Sequence, residues 1–217
     1  MMNAAEILIK AGINSLPTDL NKIAAAFNIK IVSYKDCADC YSMDMQRMYE
    51  DISTQGFSFC VDGAFVAAIN ENACGRLRRH WTIAHELAHI LLGHVTKYDT
   101  SVSLLREKEA DRLAAELLAP LTVLQFCCVS SVAETERLCR LSRQAAEIRF
   151  KELCYERRKG SEVYRMGGVD IFTRSEQDRA LLTQFLPFIS EYITRRAPHD
   201  CYAIHLSRIK ANKMTIE

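Results

Sequence analysis

Residues 78–94 read Arg-Arg-His-Trp-Thr-Ile-Ala-His-Glu-Leu-Ala-His-Ile-Leu-Leu-Gly-His, and their spacing decides the fold. Trp81, Ala84, Ala88 and Leu92 fall near one stripe of a helix, and Ile83, Leu87, Ile90 and Leu91 make the remainder nearly apolar all round. A helix of that kind belongs inside a protein, with Gly93 placed to end it. Yet it carries three groups that water normally solvates, His85, Glu86 and His89. Burying them is costly unless they are paired or hold an ion.

The spacing favours an ion. His85 and His89, at i and i+4, project from one face one turn apart. A nitrogen from each can converge on a single ion at about 2.0–2.1 Å, which suits Zn²⁺. Glu86 is rotated by about 100° from His85, within reach of a water on that ion without being a ligand. A metal there acidifies water and polarises a carbonyl, while Glu86 takes the proton and delivers it to a leaving amine. This is the H-E-x-x-H arrangement of metal-dependent peptidases.

A catalytic zinc takes three protein ligands and a water, so another ligand is expected downstream. Glu107 and Glu109 compete for that role at the head of the next helix. Asp111 lies one turn beyond Glu107 on the same face, where its carboxylate can hold the free N–H of a ligand histidine. That pairing favours Glu107, with Glu109, about 200° away around the axis, as the alternative. The bland reading is a solvated acidic helix start favoured by the dipole. His94, behind Gly93, and His80, upstream of the motif, read as surface or cap histidines.

Outward from this centre the chain is ordinary globular material. It has 217 residues, 49% hydrophobic and 25% charged, with a formal net charge of +1. That balance excludes a polybasic nucleic-acid tail or an acidic disordered tail as the main theme. The N-terminus has neither the basic region nor the apolar core of a secretory signal, and no apolar run is long enough to span a membrane. Nine cysteines, an odd number at irregular spacing, fit free thiols in a reducing cytoplasm. Cys37-Ala-Asp-Cys40 has no second pair to complete a metal site, so it reads as loop thiols.

Residues 3–12 form a helix stopped by Gly12, and a second follows Leu16-Pro17-Thr18-Asp19, with Leu20, Ile23, Ala24 and Phe27 on one face. Lys30–Tyr34 is a short strand, and residues 35–53 read as loop. Asp62-Gly63 between two apolar runs, 56–61 and 64–70, signals a hairpin. Leu104–Leu118 is a helix stopped at Ala119-Pro120. Residues 121–159 are mostly helical with a break near 139–142, and Gly160 ends them. Beyond lie a Gly167-Gly168 turn, a helix over 175–196 that Pro187 kinks or restarts, and a short strand near 201–206.

The stretch 78–94 resembles the active-site helix of the ImmA/IrrE family of zinc metallopeptidases. Glu107-Lys108-Glu109-Ala110-Asp111 and the run from Arg112 to Pro120, ending Leu117-Leu118-Ala119-Pro120, resemble that family's second signature. Leu16-Pro17-x-Asp19-Leu20 and the hairpin running into Asn70 add to the likeness, which covers about residues 5–155. Ala88 and Leu113 stand where the family more often has Gly and Phe; both are packing positions. The resemblance implies an α+β fold of gluzincin-like kind, a small sheet packed on the buried motif helix, followed by a mostly helical continuation. It also implies the Glu of the E-x-x-A-D run, Glu107, as third ligand. Members are soluble bacterial proteins of mobile elements or stress responses that cleave a partner helix-turn-helix repressor, so that substrate class is implied too.

The chain divides into a metallopeptidase domain (1–125), a helical, helix-turn-helix-like extension (126–159) and a C-terminal module of unknown role (160–217). The basic residues of the extension could face phosphate, but two packed helices with their charge on the wet side are preferred to direct DNA binding. The alternative to a peptidase is a non-catalytic regulator with a zinc-stabilised fold that binds DNA or another regulator. Glu86 argues against it, since a closed structural site has no use for a base.

Overall fold

A computed structural model describes residues 2–44, 46, 48, 50, 53–72, 75–95, 103–165 and 175–196. In chain order the elements are α1 (Ala4–Lys10), α2 (Leu20–Ala26), β1 (Ile29–Ser33), α3 (Tyr34–Tyr41), β2 (Gly56–Val61) and β3 (Ala64–Ile69). Then come α4 (Arg76–Leu91), α5 (Leu104–Leu118), α6 (Leu121–Phe126), α7 (Val132–Cys139), α8 (Arg143–Arg165) and α9 (Glu176–Arg196). The architecture is α+β, with a helical continuation.

Short polar residues set the helix starts. The Asn3 side chain accepts the Glu6 N–H while the Glu6 carboxylate accepts that of Asn3, a closed capping box. Asp19 caps α2, and Ser33, Ser103 and Ser131 cap α3, α5 and α7. The hairpin turns on Asp62 and Gly63, at φ 49° and 77°, the left-handed pair that matches strand twist.

The sheet has the order β1-β3-β2. β3 pairs in parallel with β1, Ile29 opposite Phe65, and antiparallel with β2, Gly56 opposite Ile69. Val66, Ala67, Ala68 and Ile69 are all buried because both faces of β3 are covered. Ala67 belongs to the main core with Leu87 and Ala88 of α4. Ala68 faces the other way, onto Tyr34, Cys37 and Met48. The loop expected over 35–53 is therefore wrong at 35–41, and Tyr34, expected to end the strand, begins the helix. Tyr34 and Cys37 anchor α3 to the sheet, and Tyr34 and Tyr41 meet Phe57 and Phe59 edge to face. This helix lacks a broad apolar stripe; a serine cap and two anchors one turn apart suffice.

α4 lies across β2 and β3 and packs against α5. Ala110, Leu113, Ala114 and Leu117 of α5 are buried at i, i+3, i+4, i+7, and Ala84 and Ala88 of α4 are fully buried. So many short side chains let two helices sit close. Thr18 ties the α2 entrance to the end of α5 by donating to the Leu117 carbonyl at 2.7 Å.

α8 continues through Gly160 to Arg165: one interior glycine costs about 1 kcal/mol against Ala, too little to stop a long helix. α9 likewise runs as one helix with Pro187 inside it. It packs on α1 and α6, and Gln184 donates to the Leu8 and Ile13 carbonyls. One apolar cluster joins Leu87, Leu153 and Phe185 from the three sequence segments. The expected turn at 167–168 and strand near 201–206 lie outside the described residues. Among the described residues no helix is long and apolar enough to cross a membrane.

Candidate metal centre

Close packing of α4 on α5 sets the two motif-bearing faces opposite each other. His85 Nε2 and His89 Nε2 stand 3.0 Å apart. Glu107 offers one carboxylate oxygen to each, Oε2 at 3.2 Å from His85 Nε2 and Oε1 at 3.3 Å from His89 Nε2. Two ligands at tetrahedral angles on zinc, each about 2.05 Å from it, are about 3.3 Å apart. The three donors thus already span the edges of such a coordination shell. Among the described residues His85, His89 and Glu107 form the group able to hold a metal ion.

The histidines are oriented for this. Asp111 Oδ1 is 3.0 Å from His85 Nδ1. A carboxylate only accepts, so the ring proton sits on Nδ1 and Nε2 keeps its lone pair for a metal. Burial first, then the charges of His85, His94 and Arg106, push His89 down to about 4, which keeps its imidazole neutral at pH 7.

Residues 51–150 match the family model Peptidase_M78, the IrrE N-terminal-like domain. Over that stretch the chain is similar to the IrrE N-terminal-like domain. This agrees with the resemblance drawn from the two helical signatures, and the matched stretch runs from the β2 entrance into α8. No curated protein and no solved structure matches the chain.

Within the matched stretch Glu86 is only 7% exposed. It lines the same cleft as His85, His89 and Glu107, a cavity of about 570 Å³ whose other wall is β2 from Gly56 to Phe59. Its carboxyl is pushed up to about 7, chiefly by burial; the His85 charge and a hydrogen bond from Ser58 pull it down, and the Glu107 charge raises it. A carboxyl poised near neutral can both take and give a proton.

Three site features escaped the sequence reading. Ser58, the hydrogen-bond partner of Glu86, is an unremarkable strand residue, and only the β2–β3 register aims it at α4. Glu109, weighed only as the alternative ligand, reaches His94 instead, its Oε2 3.2 Å from His94 Nε2. His94 is no surface histidine, for its side chain is 9% exposed and its Nδ1 is 3.2 Å from His89 Nδ1. A continuing helix would carry it to another face, but α4 ends at Leu91. Gly93 at φ 73° turns the chain, and the His94 N–H returns to the His89 carbonyl at 2.9 Å.

The extension is also corrected. Arg149 is 6% exposed and donates to the Ala119 carbonyl at 2.7 Å, and Arg157 donates to that of Val129. One guanidinium closes the end of α5 and the other the connection between α6 and α7, so neither is simply a charge on a wet face.

Proposed function

We propose that this chain is a zinc-dependent endopeptidase that cleaves a protein partner. The observation that carries the reading is the convergence of His85, His89 and Glu107 beside a buried Glu86, in one cleft of a peptidase-family domain. His85, His89 and Glu107 would hold the metal, which supplies Lewis-acid polarisation of the scissile carbonyl and an acidified water. Asp111 keeps the His85 proton on Nδ1. Glu86 holds the proton removed from the attacking water and passes it to the leaving amine nitrogen, while the Ser58 hydroxyl steadies its carboxylate.

The cleft suits an extended peptide. Among the described residues β2 is an edge strand, its far side unpaired, and it runs along the cleft wall. A substrate strand can add to such an edge through main-chain hydrogen bonds, bringing a peptide carbonyl towards the three donors. The partner class is a helix-turn-helix repressor, as the family resemblance implies, and cleavage would derepress its genes. A reducing, cytoplasmic setting belongs to the same reading, supported by the free thiols at Cys37, Cys40, Cys60, Cys127, Cys128, Cys139 and Cys154.

The test is incubation of the zinc-loaded protein with purified helix-turn-helix repressors encoded beside its gene, with fragments read by mass. Discrete cleavage of one repressor, stopped by a zinc chelator, is expected. Intact repressors throughout would count against the substrate class.

A further inference from the structure

His94 and Glu109 lie outside the donor group, yet both are tied to it. The Nδ1 edge of His89 faces His94 Nδ1 at 3.2 Å, and His94 Nε2 faces Glu109 Oε2 at 3.2 Å. The two imidazoles meet edge to face, centroids 5.2 Å apart and planes at 68°. His94 addresses the edge of His89 opposite to the one that His85 and Glu107 approach, so it is not a further donor to the same ion.

With His94 neutral, proton bookkeeping along this row has one solution. Glu109 only accepts, so His94 carries its proton on Nε2. His94 Nδ1 is then a lone pair and accepts, so His89 carries its proton on Nδ1. His89 Nε2 is left with its lone pair pointing to His85 Nε2 and Glu107. Starting from the other end, a His89 that ligates through Nε2 must carry its proton on Nδ1, and the same assignment follows. The row parallels the Asp111–His85 contact, with an imidazole inserted between carboxylate and ligand.

We propose that His94 and Glu109 form a relay that fixes the tautomer and ring orientation of His89, with His94 as the positioning residue and Glu109 as its anchor. The relay rests on the reading of His85, His89 and Glu107 as metal ligands. Its local cause is the turn at Gly93, which folds His94 back under the helix end; the reach of Glu109 from α5 completes it. The acidic residue that points away from the donors thereby acquires a role distinct from that of Glu107.

The test is a Zn²⁺ titration of the full chain against a chromophoric chelator, together with long-range ¹H–¹⁵N correlation spectra of the imidazoles in the zinc-loaded protein. His94→Phe fills the space but offers no acceptor, and Glu109→Ala removes the half-exposed anchor; each should weaken zinc binding by about 10–100-fold. His94→Asn places a carbonyl oxygen where Nδ1 stood and should restore affinity to within a few-fold of wild type. The spectra should show His94 as the Nε2–H tautomer and His89 protonated on Nδ1. Wild-type zinc affinity in His94→Phe, equal losses in His94→Phe and a folded His94→Asn, or an Nδ1–H tautomer of His94 would each overturn the relay alone. A wild-type protein that binds no zinc would overturn the metal-centre reading and the relay with it.

Discussion

Replacing Gly56 by Ala should push the start of β2 away from α4. A Cβ there would meet Thr82 Cγ2 at 2.7 Å, the Ala68 carbonyl oxygen at 3.1 Å and Ile69 Cδ1 at 3.3 Å. Comfortable carbon–carbon contact begins near 3.5 Å, so the first contact has to open by roughly 0.8 Å. The neighbours give little. Thr82 is β-branched and buried, and its hydroxyl donates to the Arg78 carbonyl at 3.0 Å. The Ala68 oxygen belongs to the backbone of the central strand. Overpacking costs about 1–3 kcal/mol, and the loss of glycine's freedom in the unfolded chain offsets about 0.4–1 of it. A net loss of about 0–2.6 kcal/mol lowers the Tm of a chain this size by up to roughly 10 °C. Thr82→Ser removes the clashing methyl and keeps the hydroxyl, so Gly56→Ala in that background should lose most of its cost. Thermal unfolding of the four proteins at fixed zinc concentration reads the coupling directly. A cycle with no coupling to Thr82 would refute the close approach of β2 to α4.

Glu107→Ala should strip zinc more severely than Asp111→Ala, because Glu107 gives an oxygen to each histidine whereas Asp111 holds only the far side of His85; the Asp111 loss should be about 10–100-fold. A competition titration that reversed this order would contradict the ligand assignment. Arg149→Met should destabilise by about 1.5–3 kcal/mol, since it leaves the Ala119 carbonyl without its charged donor. Arg143→Ala, at an exposed pair with Glu147, should change stability by less than about 0.5 kcal/mol. Urea midpoints of the two variants separate these outcomes, and equal midpoints would show that Arg149 closes nothing.

The motif helix, the hairpin and the α5 stop were legible because each is written locally: an apolar helix period, Asp62-Gly63, and Ala119-Pro120. The distances of Glu107 and Asp111 from the histidines follow the helix-face argument, since four residues make one turn whichever protein surrounds them. Other features depend on packing between distant segments. α3 was missed because Tyr34 and Cys37 gain their burial only once β2 and β3 have paired. Arg149 looked like surface charge until α6 and α8 closed around the Ala119 carbonyl. The place of His94 at the turn after Gly93 was legible from the helix stop, but its contact with His89 was not, because it depends on how the left-handed glycine folds the chain back. Gly160 was given more weight as a helix breaker than a long helix accords it, and at Pro187 the helix does not restart.

The role of Glu86 is central to the proposed chemistry, and Glu86→Gln isolates it. The substitution is nearly isosteric and removes no metal donor, so zinc should stay bound near stoichiometric level. Cleavage of the partner repressor should fall by at least about 10², the low end for loss of a general base. The measurement is the single-turnover cleavage rate of the zinc-loaded variant beside wild type, with bound zinc quantified in the same samples. Full zinc occupancy with cleavage nearly abolished is the expected result; wild-type cleavage by a zinc-loaded Glu86→Gln protein would contradict the hydrolytic mechanism assigned to this cleft.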